Sequence, residues 1–236
     1  MTHSYQYPRP ALTVDTVVFT IKNQDLRILL IQRAEAPFAG SWALPGGFVE
    51  VGEETGAQGE DIDKAARREL QEETGISEHD VFLEQLYTFG QPDRDPRGRT
   101  VTVAYYALVR DDVSIRSGSD AKAAQWFSAT ELPQLAFDHQ HIVEVALQRI
   151  RGKLDYEPRI ANSLVATEFT QAEFRQVHEV IKGIRYDKSN FSKRFKRMIE
   201  DGKLVDAPGK RATDGRPARL YRIVPDALAE IGSEQV

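Results

Sequence analysis

The sequence predicts an α/β domain followed by a small domain of helices and a hairpin, and three observations carry that reading. Runs rich in β-branched residues surround one amphipathic helix between residues 10 and 129. Gly152 and Pro158 then punctuate the pattern. The charge is also divided: from Lys188 to Arg222 eleven Lys and Arg stand against four Asp and Glu, a local +7 within a chain of net charge −5, so the remainder carries −12. Such asymmetry suggests an acidic domain joined to one that meets a polyanion, the alternative being a solvated basic face.

The elements follow in order. LTVDTVVFTI (12–21) reads as a strand, and LRILLIQRA (26–34) as its hairpin partner across a KNQD turn. Residues 61–74 read as a helix, VFLEQLYTF (81–89) and TVTVAYYALV (100–109) as strands, AAQWFSA (123–129) as a short strand and residues 139–154 as a helix. Beyond the punctuation come two short helices, TQAEFRQVHEVIKG and KSNFSKRFKRMIEDG, and a hairpin, KLVDAPGKRATDGRPARLYRIV. Helix, turn, helix and basic hairpin is the order of a winged helix-turn-helix. The expected domains are 1–153 and 154–236.

Composition excludes several classes. No apolar run approaches the roughly 20 residues needed to span a bilayer. MTHSYQYPRP lacks the apolar core of a signal peptide. With no cysteine, disulfides and thiolate metal sites are excluded, which fits a cytoplasmic protein.

The helix at 61–74 carries the chemistry. Asp61 can cap it and Gly75 suits its C′ position. At 100° per residue Ile62, Ala65, Ala66 and Leu70 form the apolar arc, with Lys64, Arg67, Arg68 and Gln71 opposite. Glu69 and Glu73 fall within the apolar arc, and Glu72 at its edge. Burying carboxylates together is expensive unless a cation compensates. Mg²⁺, which favours oxygen ligands beside a phosphate, would do so. An exposed acidic helix end with ordinary salt bridges is the alternative.

Arg68-Glu69-Leu70-x-Glu72-Glu73-x-Gly75-Ile76, preceded by Leu44-Pro45-Gly46-Gly47, resembles the Nudix hydrolase box. The resemblance implies an α/β/α sandwich with a mixed sheet over about residues 10–150. It implies Glu69, Glu72 and Glu73 as metal and catalytic residues, with Arg68 holding a glutamate by a salt bridge. The spacing departs from the family. Counting back from Arg68 gives the box glutamate as Glu60, but six positions before it, with five residues between, stands Glu54 where the box has glycine. Seven residues are added between Val51 and Gly59, and Gly52, Gly56 and Gly59 make them loop. The helix keeps its own geometry, while the distance from the glycine turn to it is put in question.

Gln91-Pro92-Asp93-Arg94-Asp95-Pro96-Arg97-Gly98-Arg99 is a proline-braced loop whose three arginines could grip a pyrophosphate or lie solvated. It is similar to the loop of Nudix proteins that act on or bind ADP-ribose, as is Phe137-Asp138-His139. That similarity makes Gly46, Gly47, Arg94, Arg97, Arg99 and Tyr105 candidate ligand residues. Trp42, Phe89 and Trp126 are stacking candidates or core. His139 opens a helix and is read as a cap or packing residue, not a metal ligand.

In the tail, Thr170 caps a helix burying Phe174, Val177 and Ile181, which Gly183 ends. Asp187 caps the second, where Phe191, Phe195, Met198 and Ile199 share one face. Its other face is basic, as a recognition helix in the major groove requires. Ser189, Asn190 and Lys193 are placed for base edges, with Arg194 and Arg197 further along. Lys196, Lys210, Arg211, Arg216 and Arg219 suit phosphates.

A Nudix-like domain followed by this tail, with GRPARLYR near its end, resembles the Nudix-related transcriptional regulators of NAD metabolism, the NrtR family. The resemblance implies a homodimeric repressor on double-stranded DNA at an inverted-repeat operator of NAD synthesis or salvage genes, released by ADP-ribose in the Nudix pocket. The rival reading is a Mg²⁺-dependent ADP-ribose pyrophosphatase whose tail serves dimerisation.

Overall fold

In the computed structural model residues 7–52, 59–116, 121–213 and 215–224 are described. The chain divides into two compact units, residues 1–20 with 27–149, and residues 21–26 with 150–236.

The first unit is built on a mixed sheet. Its strands are β1 (Ala11–Lys22), β2 (Asp25–Arg33), β3 (Trp42–Ala43), β4 (Gly46–Phe48), β5 (Phe82–Phe89), β6 (Thr100–Leu108) and β7 (Ala121–Ser128). They run in the order β3-β2-β1-β6-β5, with β4 also on β1 and β7 also on β2. The central pair β1–β6 is parallel, from Ala11 opposite Thr100 to Phe19 opposite Leu108. Asn23 and Gln24 both take positive φ, 54° and 62°, which suits the tight turn from β1 to β2. β3 and β4 were not foreseen, because two or three residues are too few to show a period of two.

Period two divides β1 between two tasks. Leu12, Val14 and Val18 pack against Ala65, Ala66 and Leu70 of helix α1 (Ile62–Thr74). Thr13 and Asp15 must then point to the opposite face. The ends of α1 are as the sequence predicts. Asp61 accepts from Asp63 N–H at 2.9 Å, and Gly75, at φ 72°, donates to Gln71 O at 2.8 Å. Helix α2 (His139–Lys153) begins on the Asp15 face and buries Ile142, Val143, Ala146 and Ile150 completely.

The second unit contains α3 (Pro158–Asn162), α4 (Gln171–Lys182), α5 (Lys188–Glu200) and the hairpin β8 (Leu204–Arg211) and β9 (Ala218–Ile223). Pro158 does not only break the pattern. It starts α3, at the position where a missing N–H costs nothing. Thr170 and Glu173 form a full capping box on α4, and Gly183 ends it at φ 67°. Phe169 exchanges backbone hydrogen bonds with Tyr221, adding a bridge beside the wing. Phe174 sits at the centre of the core, in ring contact with Phe169, His178, Phe191 and Phe195. Ile199 departs from expectation: it is 37% exposed, because Phe191 and Phe195 already fill the buried stripe of α5. Among the described residues no helix is long and apolar enough to cross a membrane.

His178 is fully enclosed, and burial lowers its pKa from 6.5 to about 4 despite the hydrogen bond of Nδ1 to Phe174 O. A base with a depressed folded-state pKa is favoured neutral, so stability is complete above the unfolded pKa and falls as pH drops below it. The second unit should lose about 3 kcal/mol between pH 6.5 and 4 on this account. Chemical denaturation across that window should show the slope, and His178→Leu should flatten it. Asp155 and Glu173, where arginine or lysine partners outweigh the raising effect of burial, and Glu157, lowered by Arg159, act only below about pH 4.5.

Candidate functional site

A cavity of about 290 Å³ opens on the Thr13–Asp15 face of β1, bounded by the end of β2, the turn between β3 and β4, the 91–99 loop and the start of α2. Its inner wall is a buried polar network. Arg94, with 4% of its side chain exposed, donates from Nε and Nη2 to both Asp138 oxygens at 2.9 and 2.7 Å. The same Nη2 reaches Asp15 Oδ2 at 3.3 Å. The Leu44 N–H donates to His139 Nδ1 at 2.9 Å, so the ring proton sits on Nε2, facing Asp15 Oδ1 at 3.4 Å. Burial lowers the His139 pKa, outweighing Asp15 and Asp138, and the ring stays neutral.

The mouth is cationic and aromatic. Arg97 forms an ion pair with the buried Asp95 at 2.7 Å, and its guanidinium lies over Phe48 at 5.1 Å and Phe137 at 5.7 Å. Arg33 donates to Pro37 O at 2.9 Å and covers the Phe137 ring at 4.9 Å. Phe137 adopts φ 52°, a strained conformation for a bulky residue, and packs its ring against both guanidiniums. Burial, and then the nearby Arg97 charge, lower the Arg33 pKa. Two positive groups at the mouth, Arg33 half-buried and Arg97 exposed, are suited to an anion.

The carboxylate helix meets the glycine turn beside this cavity. The Gly46 N–H donates to Glu73 Oε2 at 2.7 Å. A Cβ on Gly47 would stand 2.3–2.7 Å from the Glu69 carboxylate, so only glycine admits that approach. Arg68 bonds Glu60 at 2.7 Å, Glu69 at 2.9 Å and Glu72 at 3.0 Å. Burial raises the Glu69 pKa against the pull of Arg68. Glu72 keeps 59% of its side chain exposed. Among the described residues no three acidic or histidine side chains converge as a ready metal cage. At the glycine turn Glu69 and Glu73 are largely buried and Glu72 stands exposed, carboxylate oxygens of the kind a divalent ion takes.

The added segment is closed at its base. Glu60 N–H donates to Glu50 O at 3.0 Å, and Glu50 N–H to Glu60 Oε1 at 2.8 Å. Residues 53–58, including Gly56, lie outside the described residues.

Several expected ligand residues lie elsewhere. Trp42 packs edge-on against Phe127 at 4.7 Å, Phe89 is buried between Tyr87 and His141, and Trp126 packs on the α1 side of the sheet. Tyr105 hydrogen-bonds Asp63 on that same side, since its register alternates away from the cavity. Arg99 closes its own loop by donating to Gly90 O at 2.6 Å. None of these five lines the cavity. Arg94, Arg97, Gly46, Gly47 and Glu73 do. Sequence reasoning missed Thr13, Asp15 and Arg33. Asp15 was legible as the lone charge in a β-branched run.

On the second unit Ser189, Asn190, Lys193, Lys196 and Arg197 are exposed along α5, and Lys210, Arg216 and Arg219 along the wing. Arg194 and Arg211 differ: Arg194 is held by Asp155 at 2.7 Å and Arg211 by Glu173 at 2.6 Å. Both guanidiniums brace the fold.

Residues 11–146 match the NUDIX domain, and residues 161–223 the NrtR DNA-binding winged helix domain. The chain is 35% identical to the ADPR responsive transcriptional repressor NtrR of Acinetobacter baylyi over 92% of this chain and 83% of that one. It is 40% identical to the ADP-ribose pyrophosphatase of Methanocaldococcus jannaschii over 58% of this chain and 73% of that one. Shewanella oneidensis NrtR complexed with a 27mer DNA is 36% identical, with a TM-score of 0.76 over 92% of this chain and 94% of that one. The NUDIX domain of the same protein complexed with ADP ribose is 35% identical, with a TM-score of 0.53 over 61% of this chain and 90% of that one. Nudix proteins in general use divalent metal ions.

Arg94→Ala should cost about 3 kcal/mol in chemical denaturation, because it strands the buried Asp15 and the partly buried Asp138. Gly46→Ala, whose Cβ would meet Val14 O at 2.1 Å, should cost more than about 2 kcal/mol. Gly47→Ala should leave stability nearly unchanged and displace only the end of Glu69. Equal losses for the two glycines would contradict the geometry.

Proposed function

We propose, because this chain belongs to the NUDIX family and carries the winged helix domain of its NrtR branch, that it is a DNA-binding transcriptional repressor that responds to ADP-ribose. The observation that carries this is the union, in one chain, of a cationic-mouthed Nudix cavity with an exposed basic recognition helix. Similarity to an ADPR responsive repressor over 92% of the chain supports it. The cavity takes ADP-ribose, with Arg33 and Arg97 meeting the diphosphate by charge-assisted hydrogen bonds. Ser189, Asn190 and Lys193 meet base edges, with Arg197 further along the helix, while Lys196, Lys210, Arg216 and Arg219 meet phosphates. A homodimer would place its recognition helices about 34–36 Å apart on an inverted repeat. The operators belong to NAD synthesis or salvage genes.

ADP-ribose releases DNA only by preferring the state that does not fit DNA, and DNA must weaken ADP-ribose by the same factor. The metal is Mg²⁺, held by Glu69, Glu73 and Glu72. When bound, it would polarise a phosphoryl oxygen. Arg68 holds two of these carboxylates in place.

Hydrolysis of ADP-ribose is the second reading. It is favoured by the intact approach of Glu69 to Gly47 and by similarity to an ADP-ribose pyrophosphatase. A gel-shift titration decides between them. ADP-ribose should release a palindromic operator fragment, and the same samples assayed with Mg²⁺ should be scored for AMP. Failure to shift any promoter of an NAD-related gene would sink the repressor reading. Absence of AMP would sink hydrolysis. Lys193→Ala should weaken DNA binding about tenfold with ADP-ribose affinity unchanged.

A further inference from the structure

One carboxylate of the second unit holds two cations, one on each helix of the helix-turn-helix. Asp155 stands in the turn just after α2. Lys182, the last residue of α4, donates from Nζ to Asp155 Oδ2 at 2.7 Å. Arg194 of α5 donates from Nη1 to Oδ1 at 2.7 Å, and Nη2 reaches the Asp155 carbonyl oxygen at 3.4 Å. Burial would raise the Asp155 pKa, but the two cations outweigh it and hold the carboxyl below its ordinary value. An anion with one oxygen for each helix is also what a backbone phosphate offers, since its oxygens only accept.

The place of Arg194 on its helix fits such a phosphate. One turn to either side of it, on the same flank of α5, stand the exposed Asn190 and Arg197. The ion pair is open to solvent, with 48% of the Asp155 side chain and 29% of the Arg194 side chain exposed, so little is lost when one anion replaces another. The pair of Arg211 with Glu173 is different, because Glu173 also closes the capping box of α4 on the Thr170 N–H at 2.8 Å. We propose that Lys182 and Arg194 form a site for a backbone phosphate of DNA, and that Asp155 fills it as a built-in competitor. This rests on the DNA-binding reading above. Phosphate contacts carry no sequence information, so the competitor restrains binding to every duplex alike.

Fluorescence anisotropy of the full chain with a labelled duplex of random sequence, at about 0.05 M salt, tests it. Asp155→Asn should tighten binding about three- to thirtyfold. Asp155→Ser, a second neutral variant, should do the same. Lys182→Ala with Arg194→Ala should abolish the gain, so that adding Asp155→Asn to that pair changes affinity less than about twofold. Unchanged or weaker binding in both neutral variants would overturn the site, and a lowered Tm beside it would mark the pair as a brace alone. A gain that persists without Lys182 and Arg194 would also overturn it, because Asp155 would then act only by repelling DNA. Failure of the unaltered protein to bind any duplex would overturn the DNA-binding reading first, and this site with it.

Discussion

The first unit depends on one buried cation. Arg94 lies between Asp15 in the central strand and Asp138 at the start of α2, almost without solvent. A charge in the middle of a β-branched strand is tolerable only with such a partner. The pair fixes the 91–99 loop to the sheet and orients the residues that open α2. His139 is thereby set against Asp15 and the Leu44 N–H, and the turn carrying Gly46 and Gly47 follows directly. The cavity floor is therefore a by-product of a structural ion pair. An arginine that reads as a phosphate ligand in the sequence is spent on holding the site open.

A similar division recurs among the other arginines. Arg68 balances Glu60, Glu69 and Glu72; Arg194 and Arg211 are tied to Asp155 and Glu173. Counting basic residues overstates the charge offered to a polyanion. Arg97 is likewise tied to Asp95, but it and Arg33 also lie against the Phe137 ring at the cavity mouth.

The sequence made the periodic parts legible. The α1 register, its caps, the burial of Glu69 and Glu73 and the order of the second unit follow from spacing alone. What it hid was set by long-range register. Tyr105 and Trp126 sit on strands whose side chains alternate, and sequence does not tell which face meets the cavity. Thr13 and Arg33 were invisible for the same reason, since their meaning comes from Phe137 and Phe48, far along the chain or across the sheet.

The pinch between Glu50 and Glu60 has a wider consequence. Two hydrogen bonds at its neck, and the grip of Arg68 on Glu60, separate the length of the added segment from the spacing of the glycine turn to the glutamates. Loop-closure entropy grows only slowly with length, so segments of very different size could be grafted there at small cost. It is a natural port for a reporter, a tether or a new docking peptide.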